Sequence, residues 1–292
     1  MTKQIIVIES AQKVSYSKSA LVIEKDNEIT HYPLHSIQSL IFETDHNSVT
    51  ISALHNLAND GIPVFFCDYR HLPCSAVLST NVYYERANRI ELQFNAGAQF
   101  KKRLWQKIIR QKIMNQATVT YGFSIPTAIH LKQLIKLVDP GDTALTEAVA
   151  ARIYFQTIVH EHFSRRSDAP LNYFFNYGYA VVRSLITQRL MAHGLEPSIG
   201  IWHHGQRNSL NLTYDLIEAF RPFVDSRVLA LVGEAELTKA NRTYLLQITD
   251  HPCIIGDQKT TLQQAINLCI DSFVHCLETN STAALLLPRM VD

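Results

Sequence analysis

The hydrophobic pattern changes its period once along the chain, and that change limits the folds open to it. Up to about residue 80, apolar residues lie in short runs rich in β-branched and aromatic side chains, bounded by polar and turn residues. From about Glu91 they recur at helical spacing almost to the C-terminus. Strands are expected at residues 3–8, 20–24, 39–42 and 64–67, with one helix before the last, capped by Ser52 and stopped by Gly61 and Pro63. Helices are expected near 91–115, 126–137, 143–163, 171–193, 212–219, 222–233 and 260–278. The fold class is therefore α+β: a small N-terminal β domain with one helix at 1–79, a linker at 80–91 and a larger all-α domain at 92–292.

Composition narrows the chemistry. A hydrophobic fraction of 47% with 18% charged residues can bury a core. The 10 glycines form neither GxGxxG nor GxxxxGK[ST], which argues against a Rossmann or P-loop nucleotide site. The 5 cysteines contain no CxxC pair, so they read as small core residues of a reducing compartment, and a cytoplasmic location is expected. No run approaches the ~20 apolar residues of a membrane span. Charge is unevenly placed: residues 1–100 carry 7 basic and 10 acidic side chains, and the rest carry 20 and 16. The mild basic bias of the second part is compatible with a polyanion there.

Four stretches could carry chemistry. In GIWHHGQRNSLNLTYDLIEAFRP, residues 200–222, Asp215 and Glu218 lie three apart and share one helix face beside apolar neighbours. Like charges that close repel and resist desolvation, and a dication would offset both costs. His203 and His204 lie just upstream; a ring nitrogen beside carboxylates suits Mn²⁺ and tolerates Mg²⁺. In GDTALTEAVAARIYFQTIV, residues 141–159, Asp142 or Thr143 starts a helix and Glu147 sits among alanines that allow close approach. All these carboxylates could equally be helix-start charges. In APLNYFFNYGYAVVRS, residues 169–184, Asn172 and Asn176 must find hydrogen-bond partners, tying helices together or orienting a site. In KKRLWQKIIRQK, residues 101–112, Arg103, Lys107 and Arg110 form a basic stripe opposite Leu104, Ile108 and Ile109. That stripe is either a phosphate contact or an ordinary solvated face.

Taken together the stretches resemble the Cas1 family, the CRISPR-associated integrases that insert new spacers into a CRISPR array. The resemblance is carried by E-x4-R-I-Y-F at 147–155, N-x3-N-Y-G-Y at 172–179, G-I-x-H at 200–203 and N-L-x2-D-L-x-E-x-F-R-P at 211–222. H-L-P at 71–73 and W-x2-I-I-x2-K-I-x-N-Q at 105–116 extend it over most of the chain, which most resembles the short type II versions. One departure is Ala219, where proline is usual. The resemblance implies a β-sandwich-like N-terminal domain and a helical catalytic domain. It also implies homodimers bridged by a small partner, Cas2, with double-stranded DNA as substrate and other adaptation proteins of a type II system nearby. The family's glutamate, histidine and acidic metal ligands fall on Glu147, His203 and Glu218, with Asp215 as an accessory carboxylate for Mg²⁺ or Mn²⁺. His203 is preferred to His204 because the motif places the histidine twelve residues before the aspartate.

The activity so implied is metal-dependent attack of a DNA 3′-hydroxyl on a phosphodiester, which needs no ATP. The alternatives are a branched-DNA nuclease without integration, and a non-catalytic DNA-binding scaffold. The β domain is net acidic and holds no ligand cluster, so it is expected to build the homodimer, leaving chemistry and most DNA contacts to the helical domain.

Overall fold

A computed structural model describes residues 4–11, 13–62, 64–68, 73–77, 86–159, 163–165 and 167–291. The chain divides into two compact units, Met1–Tyr84 and Glu85–Asp292.

The first unit contains β1 (Gln4–Ile8), β2 (Lys13–Ser17), β3 (Ala20–Lys25), β4 (Glu28–Pro33), β5 (Ile37–Phe42), α1 (Ile51–Asn59), β6 (Val64–Cys67) and β7 (Pro73–Val77). One sheet runs β1-β5-β6-β7, with parallel β1–β5 and β5–β6 pairs and an antiparallel β6–β7 edge. The other is the antiparallel meander β2-β3-β4. Val14, Leu21, Ile37, Leu40, Leu57 and Val64 come from both sheets and α1, and all meet in one core at 0% exposure. This is the β domain with one helix that the strand pattern implies, and its two sheets around one core match the sandwich-like domain that the resemblance implies. Strands β2, β4 and β7 were not expected. The first two are polar, and their hairpins turn on Lys18–Ser19 and Asp26–Asn27, pairs with positive φ at both residues but no glycine to signal them. Thr50, not Ser52, caps α1, accepting from the Ala53 amide. His71 and Leu72 of the H-L-P tract, and Pro63, lie outside the described residues.

The second unit contains α2 (Arg86–Asn95), α3 (Ala98–Thr120), α4 (Ile125–Leu134), α5 (Thr146–Ile158), α6 (Pro170–Ala192), α7 (Asn211–Ile217), α8 (Arg221–Leu229), α9 (Lys239–Leu246), β8 (Pro252–Ile255), β9 (Gln258–Thr261), α10 (Leu262–Thr279) and β10 (Arg289–Met290). Helix α6 is the buried centre and packs against α7, α8, α9 and α10, while α3 packs against α4, α5 and α8. Gly178 makes the α6–α8 crossing close: a Cβ there would lie 2.4 Å from the Val224 side chain.

Three expectations need correction. The helix expected at 91–115 is two helices, α2 and α3, because Gly97 is extended at φ −64°, ψ 151° and caps the second. Helix α2 starts at Arg86, inside the expected linker, and is tied down through Gln93, whose side chain bonds both backbone groups of Glu196 at 2.7 and 3.1 Å. The second unit is also not purely helical. Strands β10-β8-β9 form a small antiparallel sheet too short to register as a periodic pattern. Helix α9 was not expected, because KANRTYLL is only 8 residues long and largely polar before Tyr244.

Candidate active site

The site is built where α3, α5, α7 and the start of α8 bring charged side chains together. Two positive-φ residues, Asp142 and Leu145, precede α5. Asp142 accepts from the amides of Thr146 and Glu147 at 3.0 and 2.9 Å, satisfying donors of the first turn from outside it. That fixes the turn carrying Glu147. Glu218 sits at the C-terminal end of α7. Both carboxylates meet one cation, the ammonium of Lys112 on α3: Glu147 directly and Glu218 at 2.5 Å. Arg221 Nε holds the other Glu218 oxygen at 2.7 Å.

Asp215 occupies a different position from the one expected of an accessory ligand. It is 0% exposed and both of its oxygens are taken. Oδ2 accepts from the amides of Ile201 and Trp202 at 2.5 and 3.0 Å, and Oδ1 from the His203 amide at 3.0 Å and His203 Nδ1 at 2.6 Å. A carboxylate so saturated has nothing left for a metal. It folds the 200–203 segment around itself and orients the imidazole, leaving Nε2 as the outward nitrogen. Gly200 permits the wrap, because a Cβ there would lie 2.2 Å from the His203 carbonyl oxygen. Asn211 closes the loop from behind, donating to the Ser198 and Gly205 carbonyls at 3.0 and 3.1 Å. The Trp105 ring stacks on Trp202 and meets the His203 ring edge-on, at centroid distances of 5.6 and 5.7 Å. His204 is exposed and forms part of a neighbouring polar pocket with Lys101 and Asn208.

The electrostatics follow from burial and pairing. Burial would raise the Glu218 pKa, but Arg221 and Lys112 outweigh it and hold the carboxyl at about 2. The hydrogen bond to Asp215 raises the His203 pKa against partial burial, and the Glu218 charge raises it further. The structure thus gathers Glu147 and Glu218 on Lys112, and His203 on Asp215. Among the described residues no group of three or more His, Cys, Asp or Glu side chains is already gathered to hold a metal ion. The cation shared by Glu147 and Glu218 is instead a lysine.

Lys112 escaped the sequence reading, although its signal was present. It lies in phase with Ile108 and Ile109, each 0% exposed, so a lysine there is buried and needs a partner. The basic stripe fares less well. Lys107 donates to the Thr282 carbonyl, and Arg110, exposed, donates to the Val138 carbonyl through Nε and Nη2 at 3.2 and 2.8 Å, so two of the three heads are tethered to backbone carbonyls. Arg103 is exposed.

The Asn172–Tyr179 tract supports the site from beneath. Arg165 donates to Asn172 and, at 2.9 Å, to Asn176. Tyr179 donates to the buried Asp225, and the Arg221 guanidinium lies 4.5 Å from the Tyr179 ring centroid. Arg221 is therefore braced on an aromatic face while it braces Glu218. Burial raises the Asp225 pKa from 3.8 to about 6 despite these partners. Its folded form binds a proton that the unfolded chain has already lost, so stability from this group falls as pH rises from about 4 through 6. Glu218 acts oppositely, adding stability above the ordinary carboxylate range that is lost as pH falls toward about 2. Asp225→Asn is therefore expected to gain on the parent protein between pH 4 and 7, by on the order of 2 kcal/mol, read from melting temperature against pH.

Other expectations concern the whole chain. Cys253, Cys269 and Cys276 are buried, and burial pushes the Cys269 thiol up to about 12, as for core cysteines. No helix among the described residues is long and apolar enough to cross a membrane.

Comparison with known proteins agrees with the motif order. The family pattern described as "CRISPR associated protein Cas1" matches residues 5–249. The CRISPR-associated endonuclease Cas1 of Neisseria meningitidis serogroup C (strain 8013) is 32% identical over 296 residues, covering 100% of this chain and 97% of that protein. The CRISPR-associated endonuclease Cas1 1 of Francisella tularensis subsp. novicida (strain U112) is 26% identical over 253 residues, covering 80% of this chain and 79% of that one. Among solved structures, a casposase bound to integration product superposes with a TM-score of 0.75 at 17% identity, over 97% of this chain and 92% of that one. A Cas6-RT-Cas1–Cas2 complex superposes with a TM-score of 0.77 at 19% identity, over 100% of this chain but only 36% of that longer one. These two likenesses are of fold. The family pattern and the full-length similarity to the Neisseria protein show that the chain belongs to the CRISPR-associated Cas1 family.

Proposed function

We propose that this chain is a metal-dependent DNA endonuclease and integrase that joins short DNA fragments into a CRISPR array by 3′-hydroxyl attack on a phosphodiester. The observation that carries the reading is the convergence of Glu147 and Glu218, 71 positions apart, on one cation; His203, with Nδ1 committed to Asp215, is proposed as the third ligand. That donor set fits Mg²⁺ or Mn²⁺: two hard carboxylates plus one imidazole nitrogen. Glu147, Glu218 and His203 Nε2 would hold the ion. When bound, it supplies a charge that stabilises the non-bridging phosphate oxygens as the transition state forms.

The rest of the work falls to the chain. Glu147 and Glu218 bring two negative charges to one point, and Arg221 keeps Glu218 ionised and oriented. Asp215 keeps the Nδ1 proton on the imidazole, so that Nε2 carries the lone pair. The incoming 3′-oxygen forms a P–O bond, the resident 3′-oxygen leaves, and one ester replaces another without ATP. Arg103 is the member of the α3 stripe proposed to meet phosphate.

The names of the relatives support an endonuclease setting with Cas2 as a partner and integration as the reaction; double-stranded DNA as substrate, other type II adaptation proteins as companions and a cytoplasmic location are proposed with it. The Met1–Tyr84 unit is proposed to form the homodimer. The test is product analysis with a 3′-hydroxyl duplex and supercoiled repeat DNA. Joined strands with Mn²⁺ and none with a chelator are expected. Shortened strands without joining would make hydrolysis the activity, and chelator-insensitive binding without turnover would make the protein a scaffold.

A further inference from the structure

Lys112 is 7% exposed at its side chain, and its ammonium is shared between two carboxylates from different helices. Glu218 is itself only 10% exposed, against 31% for Glu147, and two carboxylates facing one point repel unless a cation stands between them. Building on the metal reading above, we propose that Lys112 is a built-in counter-cation: its ammonium holds Glu147 and Glu218 together at the position a divalent metal takes, and the metal binds by displacing it.

The two cations near Glu218 are differently built for this. Arg221 is a planar guanidinium braced on the Tyr179 ring, and it takes the opposite Glu218 oxygen. It can stay when a metal arrives. Lys112 presents a compact point charge on a flexible four-carbon stem, so its head can withdraw without moving α3. A dication and an ammonium cannot share the same two oxygens, since their mutual repulsion adds to the steric conflict. The gain is a pre-formed site whose carboxylates are held in place before metal arrives, and the cost is weaker metal affinity than the bare carboxylates would have.

The test uses full-length protein without DNA. Mn²⁺ binding is measured by calorimetry for the parent, Lys112→Met, Lys112→Gln and Lys107→Gln. Glutamine keeps two N–H donors for the carboxylates, so it holds the fold if methionine does not. The Lys112 variants are expected to bind Mn²⁺ at least about tenfold more tightly, the size of one charge-assisted hydrogen bond removed from competition. Their melting temperature in chelator should fall below the parent's, and Mn²⁺ should close the gap. Lys107→Gln removes a charge from the same helix without touching either carboxylate and should leave the affinity unchanged. In the parent protein, Mn²⁺ should increase acylation of the Lys112 amine, read by mass spectrometry. Unchanged labelling, equal or weaker binding by a folded Lys112 variant, or equal tightening in Lys107→Gln would each overturn the inference while leaving the metal reading intact. No saturable Mn²⁺ binding by any of the four proteins would overturn the metal reading and this inference with it.

Discussion

Replacing His203 with alanine is expected to cut strand joining by on the order of 10³-fold, while His204→Ala keeps most of the parent rate. The two residues are adjacent, so the contrast rests wholly on local geometry. His203 is gripped at Nδ1 by the buried Asp215 and at its ring by Trp105, which leaves Nε2 pointing out as a fixed ligand nitrogen. His204 has neither grip. Losing one of three proposed ligands removes several kcal/mol of charge stabilisation from the transition state, and each 1.36 kcal/mol is a factor of ten. The measurement is joining of a 3′-hydroxyl duplex into supercoiled repeat DNA with Mn²⁺. A dead His204 variant beside an active His203 variant would move the ligand by one residue and break the proposed role of Asp215.

Asp215→Asn is expected to damage both activity and folding. The carboxylate accepts four hydrogen bonds, two at each oxygen. An asparagine must turn its NH₂ toward one of those donor pairs. Facing Oδ1's partners, it leaves the His203 amide unsatisfied and drives the imidazole to the other tautomer, with the proton on Nε2. That tautomer cannot bind a metal through Nε2. Mn²⁺ affinity should therefore weaken by about 10- to 100-fold, the usual effect of losing a residue that orients a ligand. The metal-free protein should also lose about 1–3 kcal/mol from the buried donor left without a partner. This second effect separates the roles. An accessory ligand would cost metal affinity alone, and its loss would leave the metal-free melting temperature unchanged or higher. A fall in both identifies a positioning residue around which the 200–203 loop is folded.

Local patterns along the chain carry much of the architecture. The change of period after residue 80 separates strands from helices, because a residue's place on a face depends only on near neighbours. The motif order points to Glu147, His203, Asp215 and Glu218, and the burial of Asp215 follows from its place one turn from Leu212. Where the local signal was faint, the reading slipped. Hairpins turning on Lys18–Ser19 and Asp26–Asn27 carry no glycine, Gly97 interrupts an otherwise continuous apolar period, and β8 and β9 are four residues each.

Only the tertiary structure decided which charges meet. Lys112 and Glu218 are 106 positions apart, and no periodicity links them; their pairing exists because α3 packs against the junction of α7 and α8. Tertiary contacts likewise tether Lys107 and Arg110 to the Thr282 and Val138 carbonyls. Asp215 changed from an expected ligand to a support for the same reason. A carboxylate's role depends on how many donors surround it, and the donors here are backbone amides that only the folded 200–203 loop turns inward. Sequence spacing selects the residues able to do the chemistry, whereas desolvation and long-range pairing, which exist only in the packed chain, assign each its part.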